Sequence, residues 1–317
     1  MSYILCSCTA QKRENPLQQL NIKNILTTTQ EEQIQIWNEN LTSYREKQKT
    51  LGGQKGVLAR DMYLGSIWTP IRKMLPHISI DGGLVMSAGL GLVDFDESIP
   101  SYASTFVDGD QDSILGAGNL IKCREWWYAL QSRSYFQNWL NHRKDPKIIS
   151  ILPQSYLHIA EELLEEFVGR YGEKNLLILT PKVQSSKLQS CWVPIDSKMT
   201  RIVGGKMGDV SVRVLSWILL QQSPSKDISL AQIAQECQKI LEQTKNMEPI
   251  IKVGEKQSDE TIIQWIKQLH KKNPNISKTA AHQKLRSAGL ACSTSRFKKL
   301  FDTSVQSQQM SLFSPRK

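Results

Sequence analysis

Four short apolar runs punctuate the first 180 residues: YILCS (3–7), GLVMS (83–87), KIISILP (147–153) and NLLILT (175–180). Each is apolar at successive rather than alternate positions, the mark of a strand covered on both faces. Helical patterns lie between them. Thr29 with Glu32 three residues on forms a capping box, followed by a stripe of Ile36, Trp37, Leu41 and Tyr44. Gly52, Gly53 and Gly56 mark a loop. Residues 62–75 read as a broken helix with Pro70 in its first turn or at a kink. Residues 124–143 read as one long helix, and 155–172 as a helix capped by Ser155 and stopped near Gly172. Strands separated by helices predict an α/β fold, a parallel-sheet three-layer body over residues 1–243. Ligands in such sheets sit outside the carboxyl ends of the strands. Those ends carry Ser7 and Thr9, then Ser87 and Gly89, then residues 153–155, then Thr180. A pocket is expected there; ordinary turn chemistry is the other reading.

The chain has 317 residues and a formal charge of +10, distributed unevenly. From residue 251 onward 13 Lys and Arg face four Asp and Glu, so nine of the ten excess charges lie there. Residues 244–258 read as a linker, 259–302 as three short helices and 303–317 as a disordered end. Ile262, Ile266, Leu285, Phe297 and Leu300 supply an interior; Ser277 and Ser293 are caps, and Gly289 is a turn. Two short helices and a glycine turn before a basic last helix match a helix-turn-helix plan. Lys278, Lys284, Arg286, Arg296, Lys298 and Lys299 are candidate phosphate contacts. No run approaches 18 apolar residues, which excludes a membrane-spanning helix, and the N-terminal charge order is not that of a signal peptide. A cytoplasmic protein with reduced cysteines is expected. No cysteine or histidine spacing calls for zinc, and no cofactor is implied.

Three stretches could carry chemistry. CSCTAQK (6–12) ends a strand with small and hydroxyl residues and a lysine, suited to an anion or a base edge. ARDMY (59–63) and SAGLGLVDFDESIPSY (87–102) add carboxylates at Asp61, Asp94, Asp96 and Glu97. One such carboxylate can activate water or stabilise an oxocarbenium ion at a sugar C1′. The same acids could hold magnesium or form a solvated loop. Ser7 or Cys6 as a nucleophile lacks a nearby histidine; His77 is the closest. Gly204–Gly208 with Lys206 offers a backbone-binding loop without a Walker pattern. Trp126, Trp127 and Trp139 are expected in the core rather than in a stacking platform.

In this order, CSCTAQK, ARDMY and SAGLGLVDFDESIPSY resemble a bacterial family with a strand-end Cys-Ser, an A-R-D-x-Y segment and S-A-x-x-G-L-[LV]-x-x-D-x-x-I-x-x-Y. The last motif also resembles the YaaA-like peroxide-stress proteins and the central domain of archaeosine synthases, near the uracil-DNA-glycosylase-like folds. Gly89 and Leu90 stand where relatives often carry a lysine and an aromatic. The resemblance spans residues 1–155 and nominates Ser7, Arg60, Asp61, Ser87, Gly91, Asp96, Ile99 and Tyr102. Some relatives with a basic helical tail look like anti-phage DNA glycosylases. The resemblance therefore implies cleavage of an N-glycosidic bond in double-stranded phage DNA, with glucosylated hydroxymethylcytosine as one candidate base. Asp61, Asp94 and Asp96 are the candidate catalytic acids. Ser7, Thr9, Arg60, Ser87, Gly91 and Tyr102 are the candidate base contacts, with Lys12 and Lys206 joining the tail cations on DNA. A non-enzymatic DNA-binding or stress-response protein and a deazaguanine-exchanging enzyme remain as alternatives.

Overall fold

The computed structural model describes residues 2–50, 56–247, 255–274 and 276–312. The chain divides into two compact units, Met1–Pro249 and Ile250–Lys317.

In the first unit the chain runs through β1 (Ser2–Ser7), α1 (Gln30–Thr50), β2 (Val57–Leu58), α2 (Ala59–Met62), α3 (Trp68–Met74), β3 (Gly82–Ser87), β4 (Gly91–Asp94) and β5 (Ser98–Ile99). It continues through α4 (Leu120–Ala129), α5 (Ser132–Asn141), β6 (Lys147–Ser150), α6 (Gln154–Tyr171), β7 (Leu176–Thr180) and β8 (Trp192–Pro194). It closes with α7 (Thr200–Val203), α8 (Val210–Leu220) and α9 (Leu230–Thr244). Six strands form one sheet in the order β4-β3-β1-β6-β7-β8. All neighbours are parallel except β4, which folds back against β3. The body is thus α/β, and its four anticipated strands are parallel neighbours. Ile4, Leu5 and Cys6, Leu84 to Met86, and Ile148 and Ile149 are buried at successive positions, which is why these strands read as unbroken apolar runs. From β1 the chain steps to β3 on one side and then to β6 on the other. The direction reverses between β1 and β6, the place where sheets of this kind bind ligands outside the carboxyl ends.

Several local expectations need correction. The single helix over 124–143 is two, broken at Gln131, whose φ of 61° is left-handed. The Ser132 hydroxyl donates to Trp127 O (2.6 Å) and fixes the corner. Ser155 is not a cap: α6 starts at Gln154 with Pro153 before it, whose locked φ favours a helix start. Thr29 does accept from Glu32 N (3.3 Å), but the Glu32 carboxylate takes the Thr27 hydroxyl instead of closing the box. Gly52 and Gly53 lie outside the described residues. Among those described, no helix is long and apolar enough to cross a membrane.

The second unit holds β9 (Glu255–Lys256), α10 (Asp259–Lys272), α11 (Lys278–Ser287), β10 (Leu290–Ala291) and α12 (Thr294–Leu312), with β9 and β10 paired in parallel. Ile262, Ile266, Ala281, Leu285, Cys292, Phe297 and Phe301 form its core. Ser258 and Ser277 cap α10 and α11, Ser293 accepts from Arg296 N, and Gly289 takes a φ of 79°. The end expected to be disordered from residue 303 continues α12 to Leu312; residues 313–317 lie outside the described residues.

Candidate functional site at the carboxyl ends of the central strands

The chain leaves β1 through Cys8, whose amide donates to Met86 O (3.0 Å) and keeps it beside β3. Its thiol lies 3.5 Å from the Tyr156 hydroxyl on α6, across the reversal between β1 and β6. Thr9 donates to Leu64 O (2.9 Å), tying this exit to the loop after α2. Lys12 then pairs with Tyr63 in an isolated antiparallel bridge. Its Nζ donates to Thr9 O (3.2 Å) and rests 4.0 Å from the centroid of the Tyr102 ring and 6.0 Å from that of Tyr63. Burial pulls the Lys12 ammonium below the usual lysine range, against the opposing pull of Cys8 and Asp112.

Beneath Lys12 lies a chain of hydroxyls. Ser87 donates to the Tyr102 hydroxyl (2.6 Å), which is 3.1 Å from that of Tyr63. The Ser87 oxygen also accepts from Gly89 N (3.2 Å) and Leu90 N (3.0 Å), closing the turn between β3 and β4. Trp126 and Trp37 donate their indole N–H groups to Ala88 O and Gly89 O (2.7 Å each), so these tryptophans are core residues that hold the turn. Gly89 is required here because a methyl would overlap the Tyr102 ring. Burial pushes the phenols of Tyr63, Tyr102 and Tyr156 upward, and they stay neutral.

ARDMY and the acidic stretch meet through their backbones. The first two amides of α2, Ala59 N and Arg60 N, donate to Glu97 O (2.8 Å) and Phe95 O (3.1 Å). Arg72 holds the other end of α2 by donating to Arg60 O and Tyr63 O (3.0 and 2.9 Å). The two motifs thus deliver Tyr63 and Tyr102 to Lys12, which belongs to the first motif.

The carboxylates arrive elsewhere. Ser87 is opposite Gly91 and Leu84 opposite Asp94, so Asp94 sits about 10 Å back along the hairpin, at roughly 3.4 Å per residue. There it accepts from Trp139 Nε1 (2.8 Å) and Arg143 Nη2 (3.1 Å) and clamps α5. Asp96 forms an exposed ion pair with Arg60 (2.5 Å). Neither carboxylate hydrogen-bonds to the hydroxyl cluster among the described residues: Asp94 is engaged with Trp139 and Arg143, and Asp96 with Arg60. Asp61, two residues before Tyr63, is half-buried and forms no ion pair among the described residues. Gly91 (φ 77°) serves close packing: a Cβ there would lie 2.8 Å from Leu130 O. Ser7 is buried within the end of β1. Burial pushes the Cys6 thiol well up, which makes it a poor nucleophile, and His77 is buried beside Ser79 and Asp227. Among the described residues no group of His, Cys, Asp or Glu is arranged to hold a metal ion.

A cavity of about 210 Å³ opens beyond β6 and β7, lined by Ile67, Ile151, Gln154, Pro181, Met207 and Gly208 among others. The Gly204–Gly208 loop therefore borders this face, with Lys206 exposed and its amide donating to Asp209 (2.7 Å). Cys8 and Tyr63 lie within CSCTAQK and ARDMY but carry no role of their own in the sequence reading, and Tyr156 lies outside all three stretches. The only signal for Tyr156 was a tyrosine close behind a strand end.

In the second unit two nominated cations are already engaged. Lys278 pairs with Asp302 (2.6 Å), and Arg296 holds Asp259 (2.7 Å) and Gln257 O (2.9 Å). They tie helices together, so their first duty is structural. Lys284, Arg286, Lys298 and Lys299 are exposed without such pairs among the described residues, as are Lys267, Lys271 and Lys272. No family model, curated protein or solved structure matches the chain.

Proposed function

We propose that this protein is a DNA glycosylase that removes a modified base, glucosylated hydroxymethylcytosine being the first candidate, from phage DNA. The observation that carries the reading is the meeting of Lys12, Ser87, Tyr63 and Tyr102, from three separate motifs, at the carboxyl end of the central strand. Lys12 and Thr9 are the parts of this cluster that a ligand reaches, both being partly exposed. The hydroxyls and rings beneath them form a rigid floor. The cavity beside β6 and β7 has the capacity for a base. The resemblance of the three motifs to glycosylase-like proteins supports the same reading. The second unit supplies phosphate contacts through Lys284, Arg286, Lys298 and Lys299, giving affinity that depends on salt more than on sequence. A base that already disturbs the stack costs less to evert than the few kcal/mol of a normal pair. Six cysteines, all free thiols, fit a cytoplasmic setting for this defence.

The test is incubation of the full chain with duplex DNA carrying glucosylated hydroxymethylcytosine, hydroxymethylcytosine or cytosine, followed by alkali. Strand breaks confined to a modified strand are expected. Tight binding without breaks on any of the three would replace the reading by a non-enzymatic one.

A further inference from the structure

Base release needs a group that attacks C1′ or activates water there, and the geometry narrows the choice. Ser87 is fully buried and hydrogen-bonded to Tyr102, with no base bonded to it among the described residues. The phenols of Tyr63 and Tyr102 are buried and neutral. The Cys8 thiol is buried against Tyr156. Asp94 and Asp96 are held by Arg143 and Arg60. Lys12 differs from all of these. The residue is partly exposed, and among the described residues its amine donates one hydrogen bond, to Thr9 O. No carboxylate forms an ion pair with it among the described residues. Asp112, the acid that influences it, is already paired with Lys23 (3.1 Å). The Tyr102 ring lies under the nitrogen and shields that side from water.

We propose that Lys12 is the nucleophile of the reaction, attacking C1′ of the everted nucleotide through its neutral amine and passing through a covalent imine with DNA. This rests on the glycosylase reading above. Nζ forms a bond to C1′ while the C1′–N bond to the base breaks, and the electron pair leaves with the base. The base takes up the proton that Nζ sheds. The remaining Nζ lone pair then opens the sugar: C1′–O4′ breaks, O4′ takes a proton from solvent, and an Nζ=C1′ iminium is left. Water hydrolyses it to free lysine and an abasic aldehyde. The lowered basicity that burial imposes on Lys12 raises the fraction of neutral amine available at neutral pH.

The experiment uses the full chain and duplex DNA bearing glucosylated hydroxymethylcytosine, with and without borohydride, which reduces an iminium to a stable amine. A protein–DNA adduct that survives denaturation is expected, and peptide mapping should place it on Lys12. Lys12→Arg keeps the charge and the reach but not the nucleophile. It should lose the adduct and slow the appearance of alkali-labile sites at least a hundredfold. Alkali-labile sites without any adduct, or formed by Lys12→Arg at the wild-type rate, overturn Lys12 while leaving the glycosylase reading in place. An adduct mapping to another residue does the same. No sites and no adduct on modified DNA overturn both. Mapping the wild-type adduct decides the matter even if the variant fails to fold.

Discussion

The two ends of the β3–β4 hairpin are built from one continuous motif and do opposite things. At the Ser87 end, uncharged hydroxyls, two indole N–H groups and a glycine pack into a fully buried turn. At the Asp94 end, a carboxylate meets Arg143, whose guanidinium also stacks 3.8 Å from the Trp139 ring centroid. The first end carries the surroundings of Lys12; the second fastens α5 to the sheet edge. A run of acids behind a strand is therefore no guide to where the acids point, because an antiparallel return carries them back down the sheet.

The contrast can be broken by substitution. Trp126→Ala should be the most damaging, costing about 3–5 kcal/mol by emptying a core site and orphaning Ala88 O; chemical denaturation reads this directly. Asp94→Ala should cost about 1–3 kcal/mol, since it strands Arg143 and the Trp139 N–H, yet leave the proposed base release intact once folded. A loss of turnover larger than the loss of folded protein would return Asp94 to the active site. Tyr102→Phe should cost about 1–2 kcal/mol by unpairing Ser87 and Tyr63. It should also soften the alkaline limb of stability. The Tyr63 and Tyr102 phenols are raised above their ordinary value of 10.0, so they favour the folded state below that pH and lose this contribution as pH climbs past it. A midpoint that falls equally in wild type and Tyr102→Phe between pH 9 and 11 would argue against that origin. Breaking the exposed Arg60–Asp96 pair should move stability by less than about 1 kcal/mol.

The same logic separates the cations of the second unit. Charge removal at Lys284, Arg286, Lys298 and Lys299 together should flatten the salt dependence of DNA binding, by about 0.9 in log-log slope for each phosphate no longer neutralised. Charge removal at Lys278 or Arg296 should instead lower the melting temperature of that unit. An unchanged slope in the fourfold variant removes the unit from DNA binding.

The parallel strands were legible because burial on both faces leaves unbroken apolar text. β4 was not, since GLVD runs on from the β3 turn and reads as the tail of a motif. β8, three residues long, carries too little pattern to register. The break at Gln131 has no glycine or proline; close packing of Gly91 on Leu130 and the Ser132 hydroxyl impose it. Within the site, Ser87 was legible as a strand end, and Tyr102 only through the family resemblance. Tyr63 and Tyr156 were not, because a tyrosine near a strand end is indistinguishable from core until the cross-strand partners are known.

Strand β1 occupies the middle of the sheet, yet its partners are far downstream: Tyr3 aligns with Gly82 on one side and with Ile148 on the other. On the ribosome this hexapeptide emerges sticky and unmatched, and both of its seats are filled only after some 150 residues have been made. Nascent chains halted before residue 147 should therefore be clients of holdase chaperones, and expression should respond more to translation pace across that interval than to changes at the protein surface.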